Sequence, residues 1–410
     1  MSEIRMSKAE FIGLMAMMFA MTAFSIDAML PALPQIGEEL SPENLNAAQL
    51  ILTAFVLGMG IGTFFTGPLS DSFGRKPVIY AGIVLYMVGA VLAWAAQTLE
   101  LVLAARLVQG LGIAGPRVVS IAIIRDLYSG RQMAKLVSIV MMIFTLVPAI
   151  APLIGAGIIA LTGWRGIFAA FIIFAFLVTG WFGLRLEETL PKAERRPFEA
   201  GKLKGALKDM LSYPVVRSVI IVQTLCFAVL FAALSSVQQI YDITFQRAES
   251  FPYWFGLVAI LAGSASIVNA MLVVRLGMQF LTTVTLVLQV ALSACMILLT
   301  FLSLPVDVYF GLFVFWQFSL FAMAGLTLGN LNAMAMEPLG HIAGLAASIL
   351  GGTSTVFAMA FAIPIGLAFD GTPRPAAIGV FLLCMVALVF MLKLERTPRV
   401  QHGRKANRNI

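Results

Sequence analysis

The chain alternates twelve long apolar runs with short polar segments. Each run is about 18 to 27 residues long and carries few or no charges, which is the length that a helix needs to cross a lipid bilayer. The predicted spans are residues 11–37, 48–69, 77–97, 99–123, 135–160, 166–185, 218–240, 253–274, 280–304, 307–333, 343–368 and 376–393. This pattern predicts an all-α integral membrane protein with twelve transmembrane helices.

One longer polar segment divides the chain into two halves. Residues 187–217 combine charges with prolines and end in an amphipathic stretch, which is typical of a linker. We therefore predict a six-helix bundle over 1–186, a second over 218–393 and a basic tail over 394–410. Two bundles joined in this way are expected of a transporter whose substrate site lies near the midplane between them. The first run is longer than a signal-peptide core, so we expect it to be retained as a span.

Composition and charge favour one class of protein and one orientation. Hydrophobic residues make up 60% of the 410 and charged residues 11%, which is too apolar for a soluble domain. Of the 27 Lys and Arg, three lie in predicted outer loops, two lie inside a span, and the remaining 22 lie in the tails and loops that share a side with the N-terminus. The positive-inside rule places both termini in the cytoplasm of a bacterial inner membrane. The bases are spread over many loops, which disfavours nucleic-acid binding.

The sequence offers no pattern for a metal, a cofactor or an enzyme site. Its three cysteines fall singly in different apolar runs, and its two histidines belong to no cluster with metal-ligand spacing. We find no P-loop. An intramembrane enzyme would need a nucleophile with its base, a carboxylate dyad or metal ligands at membrane depth, and only one acid is predicted there. We expect no cofactor, and transport driven by a proton gradient.

The turn after the second span carries a recognisable motif. It reads Gly67-Pro68-Leu69-Ser70-Asp71-Ser72-Phe73-Gly74-Arg75-Lys76-Pro77 and resembles the signature loop of the Major Facilitator Superfamily. The resemblance implies that Asp71 and Arg75, held by Gly67 and Gly74, act at the cytoplasmic gate. The alternative is that the loop serves only as a positive-inside topology signal.

The first and fourth spans each contain an unusual charge. The string Ser25-Ile26-Asp27-Ala28-Met29-Leu30-Pro31-Ala32-Leu33-Pro34 resembles the first-helix motif of drug:proton antiporters, especially the bicyclomycin-resistance and chloramphenicol-efflux (Bcr/CflA) branch. The string from Arg106 to Gly112 is similar to the superfamily's fourth-helix motif. Counting residues from the predicted span ends places Asp27 and Arg106 at similar depth, roughly 6 to 10 Å below the outer interface. We therefore expect them to pair and to form a proton switch; the alternative is a static ion pair.

Other segments extend the resemblance along the chain. Pro148, Pro152 and Gly155 resemble the fifth-helix motif of exporting antiporters, and this favours export over uptake of a nutrient by a symporter on the same fold. The strings from Asn330 to Gly344 and from Phe369 to Thr372 look like the Bcr/CflA branch. Arg117 lies three helical turns after Arg106, so it lines a cavity on the same face; alternatively, it reaches the membrane surface or pairs with Glu337.

Aromatic and polar residues within the spans suggest a compliant cavity for varied ligands. The candidates are Phe24, Met29, Arg117, Phe227, Phe231, Gln238, Trp316 and Gln317. The family resemblance implies a monomer that exports small amphiphilic drugs or metabolites by alternating access. Its expected partners are a small-molecule substrate and the lipid bilayer.

Overall fold

The computed structural model describes residues 6–195 and 200–395, and its regular elements within these ranges are all helical. This confirms the predicted all-α class. The α-helices are α1 Lys8–Asp27, α2 Leu33–Leu40, α3 Leu50–Phe73, α4 Arg75–Ala95, α5 Leu99–Leu127, α6 Gly130–Thr162, α7 Arg165–Arg185, α8 Ala200–Ser212, α9 Pro214–Gln239, α10 Phe251–Leu276, α11 Met278–Leu299, α12 Val306–Met336, α13 Ala343–Leu367 and α14 Arg374–Glu395. Short 3₁₀ segments lie at Leu30–Ala32, Leu45–Gln49, Lys192–Glu194 and Glu337–Ile342, and a π-helical turn at Ile240–Thr244 extends α9.

Twelve of the described helical segments are long and apolar enough to cross a membrane, as predicted. The first span is α1 with α2, the second to sixth are α3 to α7, and the seventh to twelfth are α9 to α14. Helix α8 belongs to the segment between the two sets of six. We call the end of the bundle next to α8 the linker end, and the opposite end the far end.

The two halves use the same device where their second and third spans meet. Gly74 separates α3 from α4 with φ of 102°, and Gly277 separates α10 from α11 with φ of 84°. Only glycine adopts this backbone conformation without strain. The matching turns indicate a structural repeat that the sequences of the two halves do not reveal.

The first span is broken close to its predicted acid. Helix α1 ends at Asp27, and Pro31 and Pro34 then begin a 3₁₀ turn and α2, each within the first two helical positions. Proline lacks the N–H that would continue the hydrogen-bond ladder, so it fits best at a helix start. Asp27 therefore sits at a helix end inside the span.

Glycines bring the helices of the first half into close contact. A Cβ at Gly62 of α3 would lie 2.7 Å from the Leu111 backbone oxygen of α5, and one at Gly82 of α4 would lie 2.6 Å from the Gly112 oxygen. Small residues allow such close approach of helices in a membrane, where packing rather than water drives association. Helix α5 is consequently held firmly between α3 and α4.

The two halves pack together along two seams. Helix α3 packs on α13, where a Cβ at Gly352 would meet the ring of Phe64, and α6 packs on α10, where a Cβ at Gly256 would lie 2.6 Å from the Ala149 backbone oxygen. Large apolar side chains such as Leu161 and Phe176 cover the outside of the described spans. The outer surface is thus suited to lipid, and the polar residues face inward.

Candidate functional site

A cavity of about 1200 Å³ lies between the two halves and reaches the linker end. Its mouth is lined by Asp71 of the α3–α4 turn and Asp209 of α8, and its deeper wall includes Arg117 of α5 and Phe227 of α9. A volume of this size is sufficient for a drug-sized molecule. The position between the bundles agrees with the site predicted from the two-bundle layout.

Arg117 faces this cavity as a half-buried side chain. Its Nη1 donates a hydrogen bond to the sulfur of Met59 of α3 at 3.4 Å. A thioether is a weak acceptor, and no carboxylate of residues 6–195 or 200–395 forms an ion pair with this guanidinium. In this conformation Arg117 thus lines the cavity, which is the first of its predicted alternatives.

Asp27 is 4% exposed and is not among the residues that line the cavity. Within the described part of the chain, its carboxylate has neither a hydrogen bond nor an ion pair. The next residue, Ala28, presents its backbone oxygen to Gly155 of α6, where any Cβ would collide with it. The fifth-span motif thus packs directly against the helix break beside Asp27.

Arg106 is fully buried and satisfied by neutral groups. It donates from Nη2 to the Ser25 carbonyl oxygen at 2.8 Å and from Nη1 to Gln109 Oε1 at 2.6 Å, and its guanidinium stacks on the ring of Phe55 at 4.3 Å. The Ser25 hydroxyl in turn lies 2.6 Å from the Tyr86 hydroxyl. The expected ion pair with Asp27 is therefore wrong for this conformation, because backbone and amide oxygens take the donors of Arg106.

The α3–α4 turn forms an ionic cluster at the linker end. Arg75 contacts Asp71 at 2.6 Å and Asp126, at the end of α5, at 2.9 Å. Glu188, just beyond α7, accepts hydrogen bonds from the backbone N–H groups of Arg75 and Lys76. Asp71 and Arg75, both predicted gate residues, thus lie together at the cavity mouth. A Cβ at Gly67 would lie 2.9 Å from Ser348 Oγ of α13.

The far end between the halves is closed by amide side chains. Gln49 donates a hydrogen bond to Gln239 across the two bundles, and Gln239 donates to the Leu45 carbonyl oxygen at 3.2 Å. Asn46 donates to the carbonyl oxygens of Leu367 and Phe369 at the end of α13. The cavity is therefore accessible from one end of the molecule and sealed at the other.

A loop at the far end before α14 is held by one acid. Asp370 contacts Arg374 at 2.7 Å and accepts two hydrogen bonds from Thr372. Partial burial opposes ionisation of this carboxyl, but the bonds from Thr372 and Arg374 outweigh it and hold the pKa of Asp370 below its usual value. The string from Phe369 to Thr372 therefore has a structural role here.

Sequence comparison identifies the family of the chain. The profile of the Major Facilitator Superfamily matches residues 14–363, which is most of its length. The chain belongs to the Major Facilitator Superfamily. The resemblance predicted from the loop after the second span is thereby confirmed.

Two superfamily relatives support the predicted branch. The bicyclomycin resistance protein homolog of Haemophilus influenzae is 28% identical over 347 residues, covering 83% of this chain and 85% of that protein. The multidrug resistance protein MdtL of Escherichia coli O157:H7 is 30% identical over 331 residues, covering 80% of each. The inward-open structure of the xylose transporter XylE from Escherichia coli has the same fold, with a TM-score of 0.72, 14% identity, and coverage of 96% of this chain and 98% of that one.

Several candidate cavity residues lie elsewhere in this superfamily fold. Phe24 packs against Phe171 and Phe174, and Met29 is completely buried. Four of the predicted candidates in the second half are also buried and do not line the cavity: Phe231, Gln238, Trp316 and Gln317. Trp316 donates to Ser293, and Gln317 accepts from Tyr241. Trp316 and Gln317 thus join neighbouring helices. The assignment of all six side chains to the cavity is corrected for the present conformation, whereas Arg117 and Phe227 do line it.

Some site residues of this superfamily member were not predicted. Phe19 and Phe144 line the cavity, Asp126 completes the ionic cluster, and Gln49 seals the far end. Asp126 had a signal, since it is an acid at the end of the fourth span on the same side as Arg75. The two phenylalanines had none, because similar residues cover the lipid-facing surface.

Proposed function

We propose that this protein is a proton-coupled antiporter that exports small amphiphilic compounds across the bacterial inner membrane by alternating access. The proposal is supported by its family and by relatives named for bicyclomycin and multidrug resistance, each matched over most of both chains. A second support is the fifth-span segment, where Pro148, Pro152 and Gly155 resemble the motif of exporting antiporters and Gly155 packs against Ala28, next to Asp27.

The linker end is assigned to the cytoplasm, together with both termini. The α3–α4 turn and the segment around α8 are rich in bases, whereas the bases of the far-end loops are Arg165, Arg247 and Arg374. Translocation leaves basic loops in the cytoplasm, so this orientation is favoured. The cavity then faces the cytoplasm, which is the state in which an exporter takes up its substrate.

The observation that carries the coupling mechanism is the uncompensated carboxylate of Asp27. A charge within a membrane is costly unless it is paired or reached by water, so an isolated acid at this depth is best explained by a functional role. In the present conformation Asp27 is buried away from the cavity, beside the helix break and Gly155. Opening of the far end would bring water from outside to this level, because the sealing residues Gln49 and Gln239 lie at the same end.

The transport cycle follows from these positions. Substrate enters the cavity from the cytoplasm, the linker end closes, and the Gln49–Gln239 contact opens. Asp27 then takes a proton from outside as the substrate leaves, and the neutral acid is readily buried when the far end closes again. Return to the present state, with release of the proton towards the cytoplasm, prepares the next cycle. Arg106 holds α1 and α5 together near Asp27.

The test measures substrate-driven proton movement in inverted membrane vesicles with a pre-acidified lumen. The substrates are phenicols, bicyclomycin-like compounds, lipophilic cations and small thiols, added to the outside. Wild type is compared with Asp27→Asn at equal expression. We expect at least one compound to cause alkalinisation of the lumen in wild type and none in Asp27→Asn.

The matched control is Asp307→Asn, which removes an exposed acid at the far end and should behave as wild type. If Asp27→Asn retained substrate-driven alkalinisation, Asp27 would not be the proton site. If adding a substrate instead acidified the lumen, substrate and proton would move in the same direction and the protein would be a symporter. A lack of response to every compound in wild type would contradict drug export.

A further inference from the structure

The cavity contains a cation whose hydrogen-bonding capacity the protein leaves unused. Arg117 presents five N–H donors and remains charged at any physiological pH, yet its hydrogen-bond acceptor within the described ranges is the sulfur of Met59 at 3.4 Å. It lies four residues, or about 6 Å, from the middle of α5 towards the linker end, so it is well inside the membrane. An unpaired charge at such depth is costly to keep.

Arg106, on the same helix, shows that the fold can satisfy an intramembrane arginine by itself. Its donors reach the carbonyl oxygens of Ser25 and Ile51 and the amide oxygen of Gln109, and its planar group stacks on Phe55. It lies outside the cavity lining and is fully buried. Arg117 has no comparable set of oxygens within the described ranges, and its side chain points into the cavity instead. The difference indicates that the partner of Arg117 is a ligand.

The other charges around the cavity do not compensate Arg117. Asp71 is held by Arg75 at 2.6 Å, at the linker end. Asp209 is on α8 at the same end and has an interaction of its own. Arg125 is exposed on the same helix, eight residues or about 12 Å nearer the mouth. The deep part of the cavity is therefore positive, and a second arginine lines the route to it.

The walls around this charge are largely apolar. Phe19 of α1, Phe144 of α6 and Phe227 of α9 line the cavity together with Arg117. Aromatic and apolar walls bind the body of a ligand, whereas a single placed charge fixes its polar end. A second negative charge close to the first would meet no further cation, because Arg125 lies about 12 Å nearer the mouth, and its burial against apolar walls would be costly.

We propose that the substrates of this transporter are amphiphilic monoanions, whose carboxylate or sulfonate binds Arg117 while an aromatic or apolar body packs on Phe19, Phe144 and Phe227. This inference rests on the proposed function as an exporter and specifies which class of ligand binds in the same cavity. The guanidinium forms two parallel hydrogen bonds with such an acid, an arrangement that a neutral or cationic ligand does not provide.

The test measures binding to the purified full-length protein in lipid nanodiscs by equilibrium dialysis, without any ion gradient. Three probes share one aromatic body: 2-naphthalenesulfonate, neutral 2-naphthalenesulfonamide and 2-naphthyltrimethylammonium. We expect wild type to bind the sulfonate about tenfold or more tightly than the sulfonamide, since hydrogen bonds to a charged group are worth this much. The cationic probe should bind most weakly.

Three variants separate the role of Arg117 from a general effect of charge or folding. Arg117→Gln should lose the preference for the sulfonate by weakening its binding about tenfold, with the sulfonamide affinity unchanged. Arg117→Lys should restore part of the preference, because a point charge replaces the planar fork. Arg275→Gln removes an exposed arginine at the linker end and should behave as wild type.

Equal binding of the sulfonate and the sulfonamide to wild type would overturn the proposal, as would an undiminished sulfonate preference in Arg117→Gln. Because the measurement needs neither transport nor a proton, it is independent of the vesicle experiment. A vesicle experiment that shows export of neutral drugs, together with no sulfonate preference, would sink the substrate class and leave the transporter function standing. A sulfonate preference together with no alkalinisation of the vesicle lumen, also when 2-naphthalenesulfonate is the added substrate, would keep the anion site and remove the antiport mechanism.

Discussion

The contact between Gly256 and α6 provides a direct test of alternating access. A Cβ at Gly256 would lie 2.6 Å from the backbone oxygen of Ala149, about 0.8 Å closer than the 3.4 Å of an ordinary contact. The oxygen belongs to a helix backbone and cannot rotate away, so Gly256→Ala forces α10 and α6 apart. Because the two helices belong to different halves, this strain applies to the conformation with the far end closed.

The size of the expected shift between the two conformations follows from the free-energy cost of overpacking. Inserting a methyl group into a tight contact costs about 1 to 3 kcal/mol. Alanine also gains about 1 kcal/mol over glycine in helix propensity, but this gain is common to both conformations and cancels in their ratio. The ratio of far-end-open to far-end-closed protein should therefore rise by about 5- to 150-fold.

The assay follows a cysteine that becomes accessible only when the far end opens. Ser235 of α9 is 1% exposed, and its hydroxyl lies near Gly366 of α13 at the far end. Ser235→Cys, in a background without Cys226, Cys295 and Cys384, reports the open fraction through its rate of labelling by an impermeant maleimide from the far side. Gly256→Ala should increase this rate by the factor given above.

Gly157→Ala is the matched control for this experiment. Gly157 is exposed on α6, and a Cβ there would meet nothing within 4 Å, so its substitution gains the same propensity without strain. Labelling should remain at the wild-type rate. The reasoning would be refuted if Gly256→Ala and Gly157→Ala gave the same rate, because the contact would then not hold the far end closed.

Two further substitutions follow from the polar contacts. Gln49→Ala removes a hydrogen bond between the halves and should raise the rate of Ser235→Cys labelling from the far side up to about tenfold. Gln97→Ala changes an exposed glutamine and should leave this rate unchanged. Equal labelling rates in the two variants would exclude a role of Gln49 in closure. Asp126→Asn removes a charged partner of the buried Arg75 and should lower the free energy of unfolding by about 2 kcal/mol in a thermal or denaturant assay. The exposed ion pair between Asp307 and Arg247 contributes under about 1 kcal/mol to the free energy of unfolding. If Asp307→Asn lowered this free energy as much as Asp126→Asn, the ion pair of Asp126 would not be the stronger one.

The number and order of the spans could be read from the sequence because lipid imposes a simple rule. Every backbone polar group must be satisfied within the segment, so each span is a helix of fixed minimum length with few charges. Helix ends were less predictable. The first run was predicted as one span over 11–37, whereas the structure ends α1 at Asp27 and restarts the helix after Pro31. The prolines were visible, but whether they bend or interrupt a helix depends on packing against α6.

The partners of charged residues were predictable where the charge could find them locally. Arg75 contacts Asp71, four residues before it across the turn at Gly74, and both belong to the predicted signature loop. Arg106 was expected to bind Asp27, because the depth of a residue can be counted along a helix. Its actual acceptors include two backbone oxygens, and which carbonyl a long side chain reaches depends on the rotation and approach of α1 and α3. Residue counting does not determine that rotation.

The identity of the cavity wall was the least predictable feature, and the reason is physical. In a soluble helix the polar face marks solvent, but in a membrane both the lipid face and the helix contacts are apolar, so periodicity does not show which face is which. Trp316 and Phe231 were assigned to the cavity on residue type and are packing residues. For Arg117 the sequence left alternatives open, and in this conformation it lines the cavity. In such a fold the polar positions, and above all those that the protein itself does not satisfy, carry most of the information about the ligand.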